Sequence, residues 1–207
     1  KGLRYGKLPL EQHLVDTETA AKEVFKGRIL RNWCRFFRVT DANFFLLNLQ
    51  IACLLHDIGK ANAEFDALVR GNRQIKQVLR HEWISALILH LPSVQSWLEK
   101  TELDLEVITA AVLCHHLQAS RQDWGKRRTQ VKEFELYLQH PKILEILEKI
   151  GQIAQVDEIL PEFPEKWVAS DRAWEQVYQE ANRSGAKFSR EIRRDRKSTR
   201  LNSSHYS

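Results

Sequence analysis

The sequence predicts an all-α fold with a metal site between its helices. Apolar residues recur at helical spacing along most of the chain, whereas the alternation typical of strands is nearly absent. A chain of 207 residues is long enough for one domain with its own hydrophobic core. Histidines lie beside the apolar faces of four predicted helices, and one end of a helical bundle is a common place for a metal site.

The apolar periodicity defines the predicted helices in chain order. Asp41 is the expected N-cap of the second helix, Gly59 its expected stop, and Pro92 is expected to follow the end of the fourth helix. The predicted ranges are 10–24, 41–58, 62–69, 74–91, 105–117, 131–138, 141–150 and 164–182. The polar segment 120–130 is predicted to be a loop. We expect one domain over residues 1–195 and a disordered or non-native tail over 196–207.

The overall charge does not by itself indicate nucleic-acid binding. The net charge is +5, but residues 183–200 contain eight basic and two acidic residues, so the rest of the chain is close to neutral. No apolar run reaches the length of a membrane span and no signal peptide is visible, so a cytoplasmic protein without a membrane partner is expected. Because the chain starts at Lys1 and has no methionine, it is expected to be a fragment.

The three cysteines are too few and too scattered to predict a disulfide framework. Cys34, Cys53 and Cys114 show no CxxC spacing, and two of them lie within apolar helical patterns. They are expected to be buried free thiols in a reducing compartment. The alternative is that Cys114, which precedes His115, is a soft metal ligand.

Two polar pairs at the ends of apolar helices carry the chemistry. His56-Asp57 ends the second helix, and an imidazole with a carboxylate suits a first-row divalent metal. His115-His116 closes another apolar helix, where both rings need partners. Either pair alone is also compatible with a structural role, a capping Asp in one case and satisfied core histidines in the other.

Two single histidines complete the candidate set. His81 lies among apolar residues of the fourth helix and His13 lies near the start of the first. Each alone is typical of a structural residue, but together with the two pairs they place an imidazole on four helices. His90, His140 and His205 have no such companions and are expected to be structural or solvated.

The order of these residues resembles the HD metal-dependent phosphohydrolase superfamily. The fuller resemblance, over about residues 5–120, is to the HD nuclease domain of the signature helicase-nuclease of type I CRISPR interference. The matching stretches are Leu-Glu-Gln-His-Leu-Val-Asp-Thr at 10–17, Leu-Leu-His-Asp-Ile-Gly-Lys at 54–60, Arg-His-Glu at 80–82 and Leu-Cys-His-His at 113–116.

The resemblance implies a role for each matching residue. Asp57 would bridge two metals, with Lys60 contacting a substrate phosphate or orienting the attacking water. His13 and His56 would help to hold the first metal, and His81, His115 and His116 would hold the second. The His-His pair favours the dinuclear subgroup over mononuclear nucleotidases. The family also supplies a late Asp to the first metal. Asp171 is the candidate, and the alternative is that this residue lies beyond the fragment.

The implied reaction is hydrolysis of a phosphodiester by two divalent transition-metal ions (Mn, Fe, Co or Ni), because histidine-rich sites suit these better than Mg. No ATP is expected in this domain, since the sequence has no Gly-rich phosphate loop. Single-stranded DNA is the implied substrate, with a helicase domain or subunit and a CRISPR surveillance complex as partners. Basic clusters and two tryptophans could serve DNA, or they could be solvated faces and core aromatics: Arg70, Arg73, Lys76, Arg80, Arg121, Lys126, Arg127, Arg128, Lys132, Trp83 and Trp124.

Two other functions remain open from the residues alone. One is an HD phosphohydrolase acting on nucleotides or cyclic dinucleotides, which a small closed pocket would favour over an open groove. The other is a non-catalytic module that keeps the fold but has lost the first metal.

Overall fold

In its described part, the protein is a helical bundle with one short two-stranded ribbon. The computed structural model describes residues 8–72, 74, 79–116, 133–156, 159–163 and 166–168. The helices are α1 Leu10–Val24, α2 Gly27–Phe37, α3 Ala42–Leu55, α4 Ala63–Val69, α5 His81–Leu89, α6 Pro92–Leu98, α7 Leu105–Cys114 and α8 Pro141–Ala154. A 3₁₀ turn spans Ile58–Lys60, and β1 Glu133–Glu135 pairs antiparallel with β2 Lys166–Val168. The predicted all-α class is confirmed.

Helix α3 is the centre of the bundle. It packs against α1, α7 and α8, and its residues Ile51 and Leu54 are completely buried. Leu14 from α1 and Ile108 from α7 fill the same core. Burying each such side chain stabilises the fold by about 1.5–3 kcal/mol, so this packing fixes the ends of the three helices relative to one another.

The segment Ala42–Lys60 meets the length and composition of a membrane span, with 19 residues and a mean hydropathy of 1.2. The expectation that no segment does so was wrong by this criterion. The segment ends at Lys60, and its α-helical part packs against four other helices, α1, α2, α7 and α8, as the core helix of a bundle does.

Several predicted helix ends are confirmed by their caps. Helix α1 covers the predicted range, and the Asp41 carboxylate accepts hydrogen bonds from the backbone N–H groups of Asn43 and Phe44 at the start of α3. The Asn62 side chain caps α4 in the same way by accepting from Phe65 N–H. Helix α8 begins at Pro141 as predicted and extends four residues beyond the predicted end.

Other predicted elements were wrong because non-local packing decided them. Helix α3 ends at Leu55, three residues early, and the chain continues into the 3₁₀ turn. Within the predicted helix 74–91, α5 begins at His81 after the extended Arg80, and residues 75–78 lie outside the described part of the chain. Residues 133–135 and 166–168, predicted as helix, pair as strands. Pro92 starts α6, since proline is well suited to a first helical position.

Helix α2 was not predicted. It is amphipathic, has no buried residue, and leaves Phe36 79% exposed. Segment 120–130, tail 196–207 and the predicted helix beyond residue 168 lie outside the described residues. The division into a domain over 1–195 and a tail therefore stays a prediction.

Candidate metal centre

The six predicted ligand residues meet at one end of the bundle. His13 comes from the first turns of α1, His56 follows α3, and His81 is the first residue of α5. His115 and His116 directly follow α7. Asp57, on the turn after α3, lies among them with only 3% of its surface exposed. The structure therefore brings together these six residues, whereas the further candidate Asp171 lies outside the described part of the chain.

One oxygen of the Asp57 carboxylate faces the first two histidines. Asp57 Oδ2 lies 3.0 Å from His13 Nε2 and 3.3 Å from His56 Nε2. The two nitrogen atoms are 3.2 Å apart. Lys60 Nζ also donates a hydrogen bond of 2.5 Å to this oxygen. We call Asp57 Oδ2, His13 and His56 the Oδ2 group.

The other carboxylate oxygen faces the remaining histidines. Asp57 Oδ1 lies 3.0 Å from His81 Nε2 and 3.4 Å from His115 Nε2. His116 Nε2 lies 2.9 Å from His81 Nε2. We call Asp57 Oδ1, His81, His115 and His116 the Oδ1 group. Each group has the composition and spacing of a set that can hold a metal ion.

The distances between donor atoms fit bound cations. A tetrahedral ion with metal–nitrogen bonds of about 2.0–2.1 Å has ligand atoms about 3.3 Å apart, close to the separations in both groups. Asp57 Oδ1 and His115 Nε2 are buried without a hydrogen-bond partner, although they lie close to each other. A buried polar atom without a partner is costly, and an ion coordinated by both atoms would remove that cost.

Backbone carbonyl groups orient two of the imidazoles. His56 Nδ1 lies 2.7 Å from the Cys53 carbonyl oxygen, and His115 Nδ1 lies 2.6 Å from that of Val112. Each Nδ1–H donates to the carbonyl three residues earlier, so the lone pair of the neutral ring is on Nε2, the atom that faces Asp57. This outer hydrogen bond is the usual way in which proteins fix the tautomer of a metal-binding histidine.

The electrostatics of the centre keep the carboxylate charged. Burial alone would raise the pKa of Asp57, but its polar contacts with His115, His56, His81 and Lys60 hold that pKa well below its usual range. Burial would lower the pKa of His115, but the contact with Asp57 raises it above the ordinary value. Burial and the neighbouring imidazoles lower the pKa of His116. An anion surrounded by imidazoles is thus ready to accept cations.

Gly59 packs the turn that carries Asp57 against the helix that carries His81. A Cβ atom at this position would lie 2.2 Å from the His81 carbonyl oxygen and 2.6 Å from the Ser85 backbone nitrogen. The missing side chain lets the 3₁₀ turn press against the start of α5, where Gly59 N–H donates to Ser85 Oγ at 2.8 Å. Gly59 therefore serves close approach rather than stopping a helix, and it sets the distance between Asp57 and His81.

Two polar residues in the centre escaped sequence reasoning. Glu82 is buried, forms an ion pair with Arg80, and places Oε2 3.5 Å from His81 Nδ1. Asn62 is buried and donates a 2.6 Å hydrogen bond to the Gly59 carbonyl oxygen. Glu82 belongs to the Arg-His-Glu stretch at 80–82, and its place beside a ligand histidine was the signal that could have found it.

Several other expectations can be compared with the structure. Cys114 was expected to be buried but is exposed, and it belongs to neither ligand group of the described residues. Trp83 is a core aromatic, so its suggested stacking role was wrong. Arg80 pairs with Glu82, and Arg70 pairs with Asp66. His90 is buried, 3.1 Å from the Thr109 hydroxyl oxygen.

Some expected residues lie outside the described part of the chain. They are Asp171, Arg73, Lys76, Arg121, Trp124, Lys126, Arg127, Arg128, Lys132 and His205. The late aspartate of the first metal and the basic loop after His116 therefore stay predictions. The described His140 is an exposed N-cap of α8, as expected for a structural or solvated histidine.

The fold and the centre together define a helical HD domain with a candidate dinuclear metal site. Comparison with known families gives the same class, because residues 2–202 match the family described as Cas3, HD domain. The chain belongs to this family.

Two relatives carry the Cas3 name. A Myxococcus xanthus strain DK1622 protein, provisionally named CRISPR-associated nuclease/helicase Cas3, is 31% identical over 107 residues, which are 49% of this chain and 14% of that protein. The CRISPR-associated nuclease/helicase Cas3 subtype I-F/YPEST of Pectobacterium atrosepticum is 38% identical over 74 residues, or 36% of this chain and 6% of that protein. No solved structure matches the chain. The matched segments thus span only a small part of each relative.

Proposed function

We propose that this chain is a metal-dependent nuclease that hydrolyses phosphodiester bonds of single-stranded DNA in CRISPR interference. The observation that carries the proposal is the division of one buried carboxylate between two sets of imidazoles. Asp57 Oδ2 faces His13 and His56, and Asp57 Oδ1 faces His81 and His115. A carboxylate that offers one oxygen to each of two ligand sets is suited to bridging two ions.

The residues of the centre have distinct tasks in this proposal. The Oδ2 group would hold one divalent ion and the Oδ1 group a second. When bound, such ions supply Lewis-acid stabilisation of phosphate charge and lower the pKa of a water nucleophile. Lys60, whose side chain is 22% exposed beside Asp57, offers a cation to a substrate phosphate. The protein needs no nucleophilic side chain of its own.

The ligand chemistry favours Mn, Fe, Co or Ni over Mg. Five imidazoles and one carboxylate make up the two groups, whereas Mg prefers oxygen ligands and retains several waters. ATP hydrolysis in this domain forms no part of the proposal, because the sequence has no Gly-rich phosphate-binding loop.

The names of the relatives support the proposed partners. Both are named nuclease/helicase proteins of CRISPR systems. We therefore propose that this domain acts in the cytoplasm beside a helicase, on the same chain or a separate one. A surveillance complex bound to its target would recruit it, and a membrane partner is not expected.

The test is cleavage of single-stranded DNA by the protein loaded with Mn²⁺ or Ni²⁺. The proposal expects degradation that a chelator stops and that Asp57→Ala abolishes, because both ion sites lose their shared ligand. Asp16→Ala is the matched control, since Asp16 is an exposed aspartate on the helix that carries His13. Cleavage that survives both chelation and Asp57→Ala would overturn the proposal.

A nucleotide phosphohydrolase is the second candidate, and one observation favours it. A cleft of about 450 Å³, within the range of small-ligand sites, adjoins His13 and Lys60. Release of phosphate from mononucleotides, or opening of cyclic dinucleotides, with no cleavage of DNA would select this function. If the protein binds no metal even when metal ions are supplied in excess, the result would instead indicate the non-catalytic module.

A further inference from the structure

The cleft beside the Oδ2 group has a lining of its own. It is bounded by the chain before α1, by α4 and by the segment between β1 and α8, and it shares His13, Lys60 and Asn62 with the metal centre. Most of its lining surface is apolar, from residues that include Leu10, Phe65, Val69, Tyr137 and Ile143. Its size suits one nucleoside-sized group.

The aromatic ring of Phe65 lies between the cleft and the metal centre. Its ring centroid is 6.0 Å from that of His81 and 5.5 Å from Lys60 Nζ. A flat apolar surface thus adjoins both a candidate metal ligand and the cation proposed to meet a phosphate. In a nucleic acid, a base and its own phosphate are similarly close neighbours.

The same motif that forms the centre holds this ring in place. Asn62 Oδ1 accepts from Phe65 N–H at 2.8 Å, and Asn62 Nδ2 donates to the Gly59 carbonyl oxygen at 2.6 Å. On the other wall, Tyr137 N–H donates to the Ala61 carbonyl oxygen at 2.8 Å. The backbone N–H groups of Phe65 and Tyr137 are therefore held by Asn62 and Ala61, which lie within five residues after Asp57.

Two of the charged side chains in the lining are already engaged. Asp66 Oδ2 lies 2.8 Å from Arg70 Nε, and Lys142 Nζ lies 2.8 Å from both Glu145 carboxylate oxygens. Recognition in the cleft would accordingly depend on aromatic and apolar contact more than on charge. Stacking of this kind tolerates every base, because each base has a π-face.

The geometry points to a nucleobase pocket in this cleft, lined by Phe65 and Tyr137, that holds the base next to the phosphate at the metal centre without regard to its identity. This inference rests on the proposed function, because it requires a nucleic-acid substrate. It adds a binding site formed by this chain's own residues.

Equilibrium binding in EDTA tests the pocket separately from hydrolysis. Fluorescence anisotropy would compare labelled oligothymidylate with an oligomer of equal length in which every nucleoside is a tetrahydrofuran abasic analogue. The inference expects the base-containing strand to bind about tenfold more tightly, as expected for one stacked base. Phe65→Ala should remove this difference, whereas Phe65→Trp should retain it.

Phe36→Ala is the matched control, because Phe36 is an exposed phenylalanine on α2 outside the cleft. It should leave both affinities unchanged. Equal binding of the two strands by the original protein would overturn the pocket. So would an equal loss for both strands in Phe65→Ala, which would make Phe65 a packing residue. If the strands bind as expected but Mn²⁺-dependent cleavage fails, only the proposed nuclease activity is overturned.

Discussion

The two sides of Asp57 differ in completeness. The Oδ1 group joins the carboxylate to three imidazoles, and the side chains of His81 and His115 are only 14% and 18% exposed. The Oδ2 group joins it to two imidazoles, and His13 is 37% exposed. The Oδ2 side also carries Lys60, a positive charge 2.5 Å from the oxygen that an ion would use. One carboxylate therefore serves a closed site and an open one.

This difference predicts unequal ion affinities. More ligands and less solvent favour tighter binding on the Oδ1 side. The open side, by contrast, adjoins the cleft, so a substrate would reach it first. We therefore expect an ion at the Oδ1 group to be held more tightly than an ion at the Oδ2 group.

The largest expected effect comes from Gly59, where the 3₁₀ turn that follows Asp57 packs against α5. Gly59→Ala would place a Cβ 2.2 Å from the His81 carbonyl oxygen and force the 3₁₀ turn away from α5. We expect a loss of about 3 kcal/mol in the free energy of unfolding, measured with urea. Gly27→Ala is the control, because nothing lies within 4 Å of a Cβ there. Its positive φ predicts a cost of only about 1 kcal/mol. Equal costs for both variants would contradict this account of Gly59.

The next effect distinguishes the two groups by their ligands. His115→Ala should weaken the tighter of the two Mn²⁺ sites by about 100-fold, because it removes a buried ligand of the Oδ1 group. His13→Ala should weaken only the looser site. Isothermal titration calorimetry measures both sites in each variant. The comparison fails if His13→Ala removes the tighter site.

Lys60→Met is expected to raise an ion affinity, whereas the preceding histidine variants lower one. Removing the cation beside Asp57 Oδ2 should tighten the looser Mn²⁺ site about tenfold, since like charges repel. The same variant should bind single-stranded DNA more weakly. Lys26→Met, which changes an exposed lysine at the start of α2, should alter neither property. Weaker Mn²⁺ binding in Lys60→Met would show that Lys60 organises the site rather than competing with an ion.

The last variant, Cys114→Ala, is expected to change neither ion affinity, because Cys114 belongs to neither ligand group although it adjoins His115. Calorimetry on this variant tests the alternative of a soft thiolate ligand. A loss of either site would revive that alternative.

Two polar pairs could be found from local sequence, whereas their meeting with His13 and His81 was implied by the resemblance to the HD family, because the contacts join residues 35 to 44 positions apart. His56-Asp57 and His115-His116 each follow an apolar helix, and such pairs are visible without any tertiary knowledge. The predicted cap at Asp41 was equally local, since its side chain bonds to backbone within three residues. Asp171 lies outside the described residues, and its role stays a prediction.

What the sequence did not give depends on contacts between distant segments. Gly59 has its role because α5 passes 26 residues later, and β1 pairs with a strand more than 30 residues away. Helix α5 begins at His81 because Arg80 is extended. The apolar residues before Arg80 continue the helical spacing, so the sequence pattern did not reveal this start. Helix α2 had a usable signal, since Ile29, Trp33 and Phe36 follow helical spacing.

Anomalous diffraction from crystals soaked in Mn²⁺ tests the shared carboxylate most directly. The account predicts two peaks, one on each side of Asp57, with the peak beside His81 and His115 at higher occupancy and the peak beside His13 and His56 at lower occupancy. A single peak on one side of the carboxylate, or peaks away from Asp57, would contradict it.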